Sequence, residues 1–129
     1  MGKMLVLGAS ENPDRYSCKA VKSLAGNGYE VVAVGFRPGF IKAAGIPPGL
    51  SREIEVLTGT PEVGEVDTVL LYMGVKKQKE YYDYLLRLNP RRVIFNPGSE
   101  NRELQDILDK KGIKTVRDCA LIMINTDTF

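Results

Sequence analysis

The sequence predicts an α/β fold in which a mostly parallel β-sheet is covered by helices on both faces. Short, continuously apolar segments recur along the chain, as expected for strands that are buried on both faces. Segments with apolar residues at helical spacing lie between them, and this alternation favours right-handed crossovers and a doubly wound sheet. The chain of 129 residues has the length of one domain with a sizeable core, and we expect residues 1–129 to form a single domain.

The first part of the chain contains two predicted strands and the helix between them. Residues Lys3 to Leu7 and Glu30 to Phe36 are too apolar for a sheet with one solvated face. The segment between them carries apolar residues at helical spacing, namely Cys18, Val21, Leu24 and Ala25. Gly26-Asn27-Gly28 then offers the left-handed geometry that ends a helix.

The stretch from Arg37 to Val66 is predicted as a long loop around a weak strand from Ile54 to Leu57. Its sequences PGF, GIPPG and TGTPEVG are rich in turn-forming residues. Within it, Thr60-Pro61-Glu62 could cap one helical turn, with proline at the first helical position.

Two further buried strands are predicted from Asp67 to Met73 and from Arg92 to Asn96. The segment between them has one apolar helical face, formed by Tyr81, Tyr82, Leu85 and Leu88. We expect the tyrosines of this segment, which include Tyr84, to serve mostly in core or interface packing.

One more helix and a short strand are predicted in the last third of the chain. Ser99 is suited to the N-cap, and Glu100 would lie in the first turn. The helix would carry Leu104, Ile107, Leu108 and Lys111. Gly112 would end it, and a strand from Lys114 to Val116 would follow.

The composition restricts the class of function. Hydrophobic residues make up 43% and charged residues 26% of the chain, as in soluble globular proteins. A net charge of +2 argues against a nucleic-acid binder with a broad basic face. No segment approaches the roughly 20 apolar residues of a membrane span, and Met1 to Ser10 shows no secretory signal. We therefore expect a cytoplasmic protein without a nucleic-acid or membrane partner.

The sequence offers few groups for catalysis or metal binding. Cys18 and Cys119 are too few for a disulfide framework and are not spaced as zinc ligands. The chain contains no histidine, which removes the most common general base and metal ligand. Asp118 beside Cys119 would disfavour a reactive thiolate. We predict neither a metal site nor a catalytic residue.

Four loops are candidates for a ligand site. In an open parallel sheet, ligands bind beyond the carboxyl ends of the strands, near the point where the strand order reverses. The loops at those ends are Gly8 to Ser17, Phe36 to Gly39, Tyr72 to Lys77 and Asn96 to Asn101. The last of these combines a proline-glycine turn with polar side chains at a predicted helix N-terminus, where polar ligand groups bind readily.

The first loop resembles a degenerate phosphate-binding turn. The three glycine positions of the G-x-G-x-x-G dinucleotide motif hold Gly8, Ser10 and Pro13. Gly8 permits a sharp turn, and Ala9 and Ser10 are small enough for backbone N–H groups to approach a diphosphate. The helix could start at Asn12-Pro13-Asp14 or later, at Ser17. A plain strand-to-helix turn without a ligand is the alternative interpretation.

The end of the second predicted strand differs from that of an NAD site. NAD-binding proteins place an acidic residue there, about 20 residues beyond the glycine turn, to bind the ribose 2′-hydroxyl. This chain has Gly35-Phe36-Arg37 instead. An arginine suits a phosphate on the ribose, which NADP carries at the 2′ position and coenzyme A at the 3′ position. The alternative is an exposed loop arginine without a ligand.

The loop after the strand predicted at 67–73 offers a small apolar surface followed by lysines. An adenine ring or a pantetheine arm could lie against Met73 and Gly74. The cluster Lys76, Lys77 and Lys79 opposes the dipole of the helix that it begins, unless an anion or solvent compensates. A solvated helix face is the alternative interpretation.

Several segments together resemble a known family. They are GAS-x-N-P-x-R-x-S after the first strand, Gly28-Tyr29 before the second, VDTVLLYM, IFNPGSEN and DCALIMINTDTF. In this order they resemble the small stand-alone CoA-binding proteins, which are similar to the CoA-binding Rossmann domain of succinyl-CoA synthetase alpha subunits. The resemblance covers most of the chain.

The resemblance implies a Rossmann-like fold and a set of ligand contacts. It brings Gly8, Ala9, Ser10, Asn12 and Arg15 near the CoA phosphates. It also brings Arg37 near the adenosine end, and it lines the cofactor with the turn that contains Gly74. The segment Gly35 to Gly59 departs from the family pattern, which has an asparagine-proline pair after the second strand and a compact path to the third. The ligase reaction of succinyl-CoA synthetase passes through a histidine that this chain lacks, so that chemistry does not carry over.

The sequence therefore predicts a protein that binds coenzyme A or an acyl-CoA without catalysis, as a carrier, a sensor or a regulatory subunit. Its partner could be a second copy, bound through the tyrosine-bearing helix, or another protein. The alternative function is an NADP-binding reductase or a redox sensor. The predicted ligand contacts are Gly8, Ala9, Ser10, Asn12, Arg15, Arg37, Met73, Gly74 and Lys76.

Overall fold

The computed structural model describes residues 2–44 and 49–129, and its strands form one seven-stranded sheet. The strands are β1 (Lys3–Ala9), β2 (Val31–Gly35), β3 (Gly39–Ala44), β4 (Ser51–Thr58), β5 (Val66–Leu71), β6 (Arg92–Phe95) and β7 (Lys114–Arg117). The helices are α1 (Tyr16–Gly26), α2 (Val75–Gln78), α3 (Tyr82–Leu88), α4 (Arg102–Lys110) and α5 (Ala120–Asn125), with a 3₁₀ turn at Lys79–Tyr81.

The strand order is β3-β4-β2-β1-β5-β6-β7. The pairs β1–β2, β2–β4, β1–β5, β5–β6 and β6–β7 are parallel, and β3 is antiparallel to β4. From β1 the chain moves outward through β2 to the edge strand β3, turns back as β4, and then crosses to the other side of β1 as β5. The strand order therefore reverses between β1 and β5. This arrangement confirms the predicted α/β fold with a mostly parallel, Rossmann-like sheet.

Helices cover both faces of the sheet because its strands are apolar on both sides. Met4 and Val6 of β1 belong to the core that contains the apolar faces of α1 and α5. Leu5 and Leu7 belong to the opposite core, with α3 and α4. The continuously apolar runs of the sequence correspond to this double burial.

The segment predicted as a long loop contains a β-hairpin. β4 runs from Ser51 to Thr58, longer than the weak strand predicted at 54–57, and β3 was not predicted. Both strands alternate between buried and exposed residues, with Ile41 and Ile54 paired on the buried face. This period of two is typical of a half-covered strand and differs from the apolar runs of the inner strands. Residues 45–48, which belong to the predicted GIPPG turn, lie outside the described residues.

Three other local predictions need correction. Thr60-Pro61-Glu62 forms no helical turn, and the carbonyl of Pro61 accepts a hydrogen bond from the Tyr84 hydroxyl at 2.7 Å. Asn101, and not Ser99, caps α4, because its side chain accepts from the N–H of Leu104. The helix α5 was not predicted, since its six residues are too few to show a helical period.

The tyrosines of the predicted 81–88 helix pack within the chain. Tyr81 and Tyr84 are buried, with 7% and 4% of their surface exposed. The hydroxyl of Tyr82 lies within hydrogen-bond distance of Asn101 and Glu103. In the part of the chain that the structure describes, these tyrosines therefore serve in packing within the domain.

An ion pair links the amino end of β5 to the residue before β6, at the end of the sheet opposite the cleft-forming carboxyl ends. The Arg91 guanidinium donates from Nε to Oδ1 of Asp67 at 3.0 Å and from a terminal nitrogen to Oδ2 at 3.1 Å. Thr68 also donates to this carboxylate, at 2.7 Å. The hydrogen bonds from Arg91 hold the pKa of Asp67 below its ordinary value.

We predict that Asp67→Asn lowers the free energy of unfolding at pH 7 by about 1 kcal/mol, because a bidentate charged pair is lost at a partly exposed site. Since the folded-state pKa is lowered, the contribution is complete above the unfolded pKa of about 3.9 and disappears as the pH falls through the folded value. Urea unfolding at several pH values measures this. Asp106→Asn, which removes an exposed partner of Arg102, is the control. If Asp67→Asn still had a lower free energy of unfolding than the wild type at pH 2, its effect would not come from the charged pair with Arg91.

Candidate functional site

A cleft of about 920 Å³ opens at the carboxyl ends of the central strands. Its volume lies near the upper end of the range of about 300–1,000 Å³ that is typical of small-molecule sites. The loops after β1, β2, β5 and β6 line it, as the sequence predicts. Its lining residues are Gly8, Ala9, Ser10, Glu11, Asn12, Asp14, Arg15, Tyr16, Ser17, Phe36, Arg37, Pro38, Tyr72, Met73, Gly74, Lys77, Pro97, Gly98 and Ser99.

Gly8 allows the end of β1 to lie directly against the chain after β5. Its φ is +100°, and a Cβ atom at this position would lie 2.6 Å from the carbonyl oxygen of Tyr72. The N–H of Tyr72 donates to the carbonyl of Leu7 at 2.8 Å. Any side chain would therefore be strained and would push the two strand ends apart. The floor of the cleft depends on this contact.

The loop after β1 is ordered by its own polar side chains. Ser10 Oγ accepts from the N–H of Asn12 at 3.1 Å, and Asn12 Oδ1 accepts from the N–H of Asp14 at 3.0 Å. Helix α1 then starts at Tyr16, close to the later of the two predicted starts. No side chain caps this helix, and its first turn has no acidic residue. Its N-terminal end at the cleft can therefore attract an anion.

The loop after β2 brings a cation and an aromatic ring to the cleft. Arg37 lines the cleft and forms no ion pair with a carboxylate of residues 2–44 or 49–129. Phe36 is 51% exposed. The ammonium nitrogen of Lys77, from α2, lies 5.1 Å from the centre of its ring. This cation–π contact joins the loop after β2 to α2.

A carboxylate also reaches the segment that follows the loop after β2, although the sequence shows none there. Glu11 belongs to the loop after β1, and its Oε2 accepts from the N–H of Phe40 at 3.3 Å. A Cβ atom on Gly39 would lie 2.6 Å from the same oxygen. The sequence gives no sign of this contact, because it requires β3 to turn back toward the first loop, and β3 was not predicted.

Tyr72 presents a buried hydroxyl beside the cleft. Its oxygen has no hydrogen-bond partner among the described residues. Burial raises the pKa of this phenol, and nearby Cys119 adds to the shift. The hydroxyl therefore keeps its proton at neutral pH.

Gln78 connects the loops after β5 and β6. It is completely buried, and its Nε2 donates to the carbonyls of Met73 at 2.8 Å and Ser99 at 2.7 Å. Its Oε1 accepts from Asn101 Nδ2 at 2.9 Å. The amide is thus satisfied on both ends and fixes two walls of the cleft. No motif in the sequence distinguishes this glutamine from an exposed one.

The polar side chains of the loop after β6 are used mostly within the protein. Asn96 is buried, donates to the carbonyl of Leu71 at 3.0 Å and accepts from the N–H of Ala120 at 2.8 Å. The hydroxyl of Ser99 donates to the carbonyl of Asn96 at 2.6 Å. This loop therefore presents mainly Pro97, Gly98 and Ser99 to the cleft.

The structure brings the predicted ligand contacts together with one exception. Gly8, Ala9, Ser10, Asn12, Arg15, Arg37, Met73 and Gly74 all line the cleft. Lys76 does not, and Lys77 lines it instead. The two lysines are adjacent on α2, where successive side chains point about 100° apart. The number of residues in the preceding turn, which the sequence pattern leaves open, decides which lysine faces inward.

The cysteines and acidic groups provide no metal centre within the described ranges. No three histidine, cysteine, aspartate or glutamate side chains of those ranges are placed to hold an ion. Cys18 is buried in the core, and burial raises the pKa of its thiol.

The fold and the cleft together define a Rossmann-like protein with a cleft at the point of strand reversal, where ligands bind in this class of fold. The sequence matches the family described as a CoA binding domain over residues 2–125, and the chain belongs to that family. No functionally curated protein matches it. In residues 2–44 and 49–129, no helix has the length and apolar character needed to span a membrane.

Solved structures share the fold over nearly the whole chain. An uncharacterized protein known from a crystal structure is 38% identical, with a TM-score of 0.87 over 100% of this chain and 98% of that one. A hypothetical protein from Pyrococcus horikoshii is 20% identical, with a TM-score of 0.75 over 98% and 83% of the two chains. A Thermus thermophilus protein is 21% identical, with a TM-score of 0.75 over 99% and 91%.

We predict that Gln78→Leu destabilises the protein by about 2–4 kcal/mol, because it leaves buried polar partners without hydrogen bonds. Chemical denaturation measures the loss. Gln105→Leu, the same change at a half-buried position on α4, should cost less than about 1 kcal/mol. Equal effects of the two variants would show that the buried amide has no special role.

Proposed function

We propose that the cleft binds coenzyme A or an acyl-CoA and that the protein acts as a carrier, a sensor or a regulatory subunit without catalysing a reaction. One observation carries this proposal beyond family membership. The N-terminal end of α1, which no side chain of residues 2–44 or 49–129 caps, and Arg37, which pairs with no carboxylate in those ranges, line the same cleft at the point of strand reversal. A ligand with two separated phosphate groups matches this arrangement.

The residues present fit the parts of such a ligand. The diphosphate would lie on the turn from Gly8 to Ser10 and at the start of α1, where backbone N–H groups and the helix dipole favour anions. Asn12 and Arg15 line the same end of the cleft. Arg37 would bind the ribose phosphate. The pantetheine arm would follow the apolar surface of Met73 and Gly74.

The chemistry of the cleft supports a binding role. A general base works best with a pKa near the operating pH. Tyr72, by contrast, has a raised pKa and keeps its proton. The sequence contains no histidine to act in its place. We extend the proposal to a single cytoplasmic domain of residues 1–129, with a second copy or another protein as its partner.

The alternative proposal is an NADP-binding reductase or a redox sensor. Arg37 is the observation that favours it, because a guanidinium binds a ribose 2′-phosphate as readily as a 3′-phosphate. Hydride transfer would also require a substrate pocket and a proton donor. The two proposals differ in the adenine nucleotide that they require.

We predict that CoA and acetyl-CoA raise the melting temperature of the protein and that NAD and NADP do so much less, because a ligand that binds only the folded state stabilises it. Differential scanning fluorimetry with each ligand at the same concentration measures this. Stabilisation by NADP without stabilisation by CoA would reverse the ranking of the two functions. The absence of any shift with CoA would overturn the proposed function.

Arg37 gives a second prediction. Arg37→Met should weaken CoA binding about tenfold or more, because the loss of a charge-assisted contact to a phosphate costs about 1.5–3 kcal/mol. It should leave the affinity for dephospho-CoA unchanged. Isothermal titration calorimetry with both ligands measures the two affinities. Arg102→Met, at an exposed position on α4, is the matched control. Equal weakening of both ligands by Arg37→Met would show that this cation does not bind the ribose phosphate.

A further inference from the structure

We infer that Glu11 determines which ribose hydroxyl of the ligand can carry a phosphate. The inference rests on the proposed function and makes it more specific, because it assigns the cleft to ribose 3′-phosphates and against 2′-phosphates. The observation behind it is that Glu11 carries a carboxylate from the first loop to the start of β3, directly after the loop that holds Arg37.

The position of this carboxylate is set by the backbone. Ala9 pairs with Gly35 at the last register position between β1 and β2, so the first loop leaves β1 beside the end of β2. The N–H of Phe40 then binds Glu11 Oε2, and the bare Cα of Gly39 lets the carboxylate approach the hairpin closely. The carboxylate thus lies at the start of β3, directly after the loop 36–38 that holds Arg37.

Glu11 has bonding capacity left for a ligand. Its one hydrogen bond to a described residue is the contact from Phe40. It forms no ion pair with a cation in residues 2–44 or 49–129. A carboxylate has about four acceptor sites on its two oxygens. Glu11 is also one of the residues that line the cleft.

A carboxylate in this position favours a ribose hydroxyl and disfavours a ribose phosphate. In dinucleotide-binding folds, an acidic side chain at the end of the second strand binds the ribose 2′-hydroxyl. Glu11 brings the same chemical group to the segment directly after the loop that follows β2. A phosphate at the 2′ position would replace that donor by an anion and would repel the carboxylate. A phosphate at the 3′ position leaves the 2′-hydroxyl free to donate. Glu11 and Arg37, which do not pair with each other, therefore match a ribose that has a 2′-hydroxyl and a 3′-phosphate.

Two isomeric probes test this inference without the rest of the ligand. They are 3′-phosphoadenosine 5′-phosphate and 2′-phosphoadenosine 5′-phosphate, which have the same composition and charge. Wild-type protein should bind the 3′ isomer about tenfold more tightly, a factor that corresponds to about 1.4 kcal/mol. Glu11→Gln should reduce this ratio to about one. Glutamine keeps an acceptor for the N–H of Phe40, so the hairpin contact remains and the melting temperature should change little.

A second variant reaches the same result by a different route. Gly39→Ala keeps the carboxylate but places a Cβ atom against it, and the flexible Glu11 side chain must then move away. This variant should also lose the isomer preference. Glu53→Gln, which removes the same charge from an exposed position on β4 outside the cleft, should retain it. Titration calorimetry or competition against a fluorescent nucleotide measures the affinities.

The outcomes separate this inference from the proposed function. If wild-type protein binds CoA but Glu11→Gln keeps the isomer ratio, the inference is wrong and the proposed function stands. If Glu11→Gln weakens both isomers equally, the carboxylate binds the adenine and does not read the ribose. If wild-type protein binds the 2′ isomer more tightly, the assignment of Glu11 is overturned. If CoA does not bind at all, the proposed function itself is overturned.

Discussion

The contact between Gly8 and the backbone of Tyr72 is the constraint on which the site depends. The chain leaves β1 toward β2 on one side and reaches β5 on the other, so the loops after β1 and β5 diverge. A cleft forms between them only if the two strand ends below stay close. The positive φ of Gly8, together with the carbonyl of Tyr72 where a Cβ atom would lie, makes that approach possible. The first loop then continues from Gly8 to the start of α1 at Tyr16.

The polar residues around this cleft form two sets, one that stabilises its walls and one that is exposed to a ligand. Gln78, Asn96 and Asn101 are buried, and their hydrogen bonds join the loops after β5 and β6 to each other and to α5. These side chains form their hydrogen bonds within the protein and fix the positions of the loops that form the walls of the cleft. The first and second loops instead carry exposed ionisable groups, Glu11 and Arg37, with few protein partners. Walls that are already ordered reduce the conformational entropy that the protein loses when a ligand binds. The charges of Glu11 and Arg37 can then contact the ligand.

The strands buried on both faces were predicted most closely from the sequence. β1, β2, β5 and β6 show clear apolar patterns, and their observed bounds agree with the predicted ones within about two residues. In the edge hairpin, β4 was predicted too short and β3 was missed, because β3 buries only alternate residues, among them Ile41 and Ala43, and alanine has little strand preference. Asn101 and Ser99 are both good capping residues, and only the three-dimensional turn decides between them.

The candidate site was predictable where its residues are close in sequence. Motif reasoning can place Gly8, Ser10 and Arg37 at strand ends because the carboxyl ends of parallel strands meet at one edge. It cannot find Glu11, whose role depends on a partner, Phe40, that lies 29 positions away. Likewise, the choice between Lys76 and Lys77 depends on how many residues separate the end of β5 from the start of α2.

The charge of the whole chain says little about the selectivity of the cleft. A net charge of +2 spread over 129 residues gives a weak field, and salt screens exposed charges over about 10 Å. Discrimination between phosphate isomers must therefore arise from groups in direct contact with the ribose. Glu11 and Arg37 both line the cleft without pairing with each other. Because a phosphate and a hydroxyl exchange places between the two isomers, a negatively charged carboxylate beside the ribose is sufficient to favour the isomer that presents a hydroxyl to it.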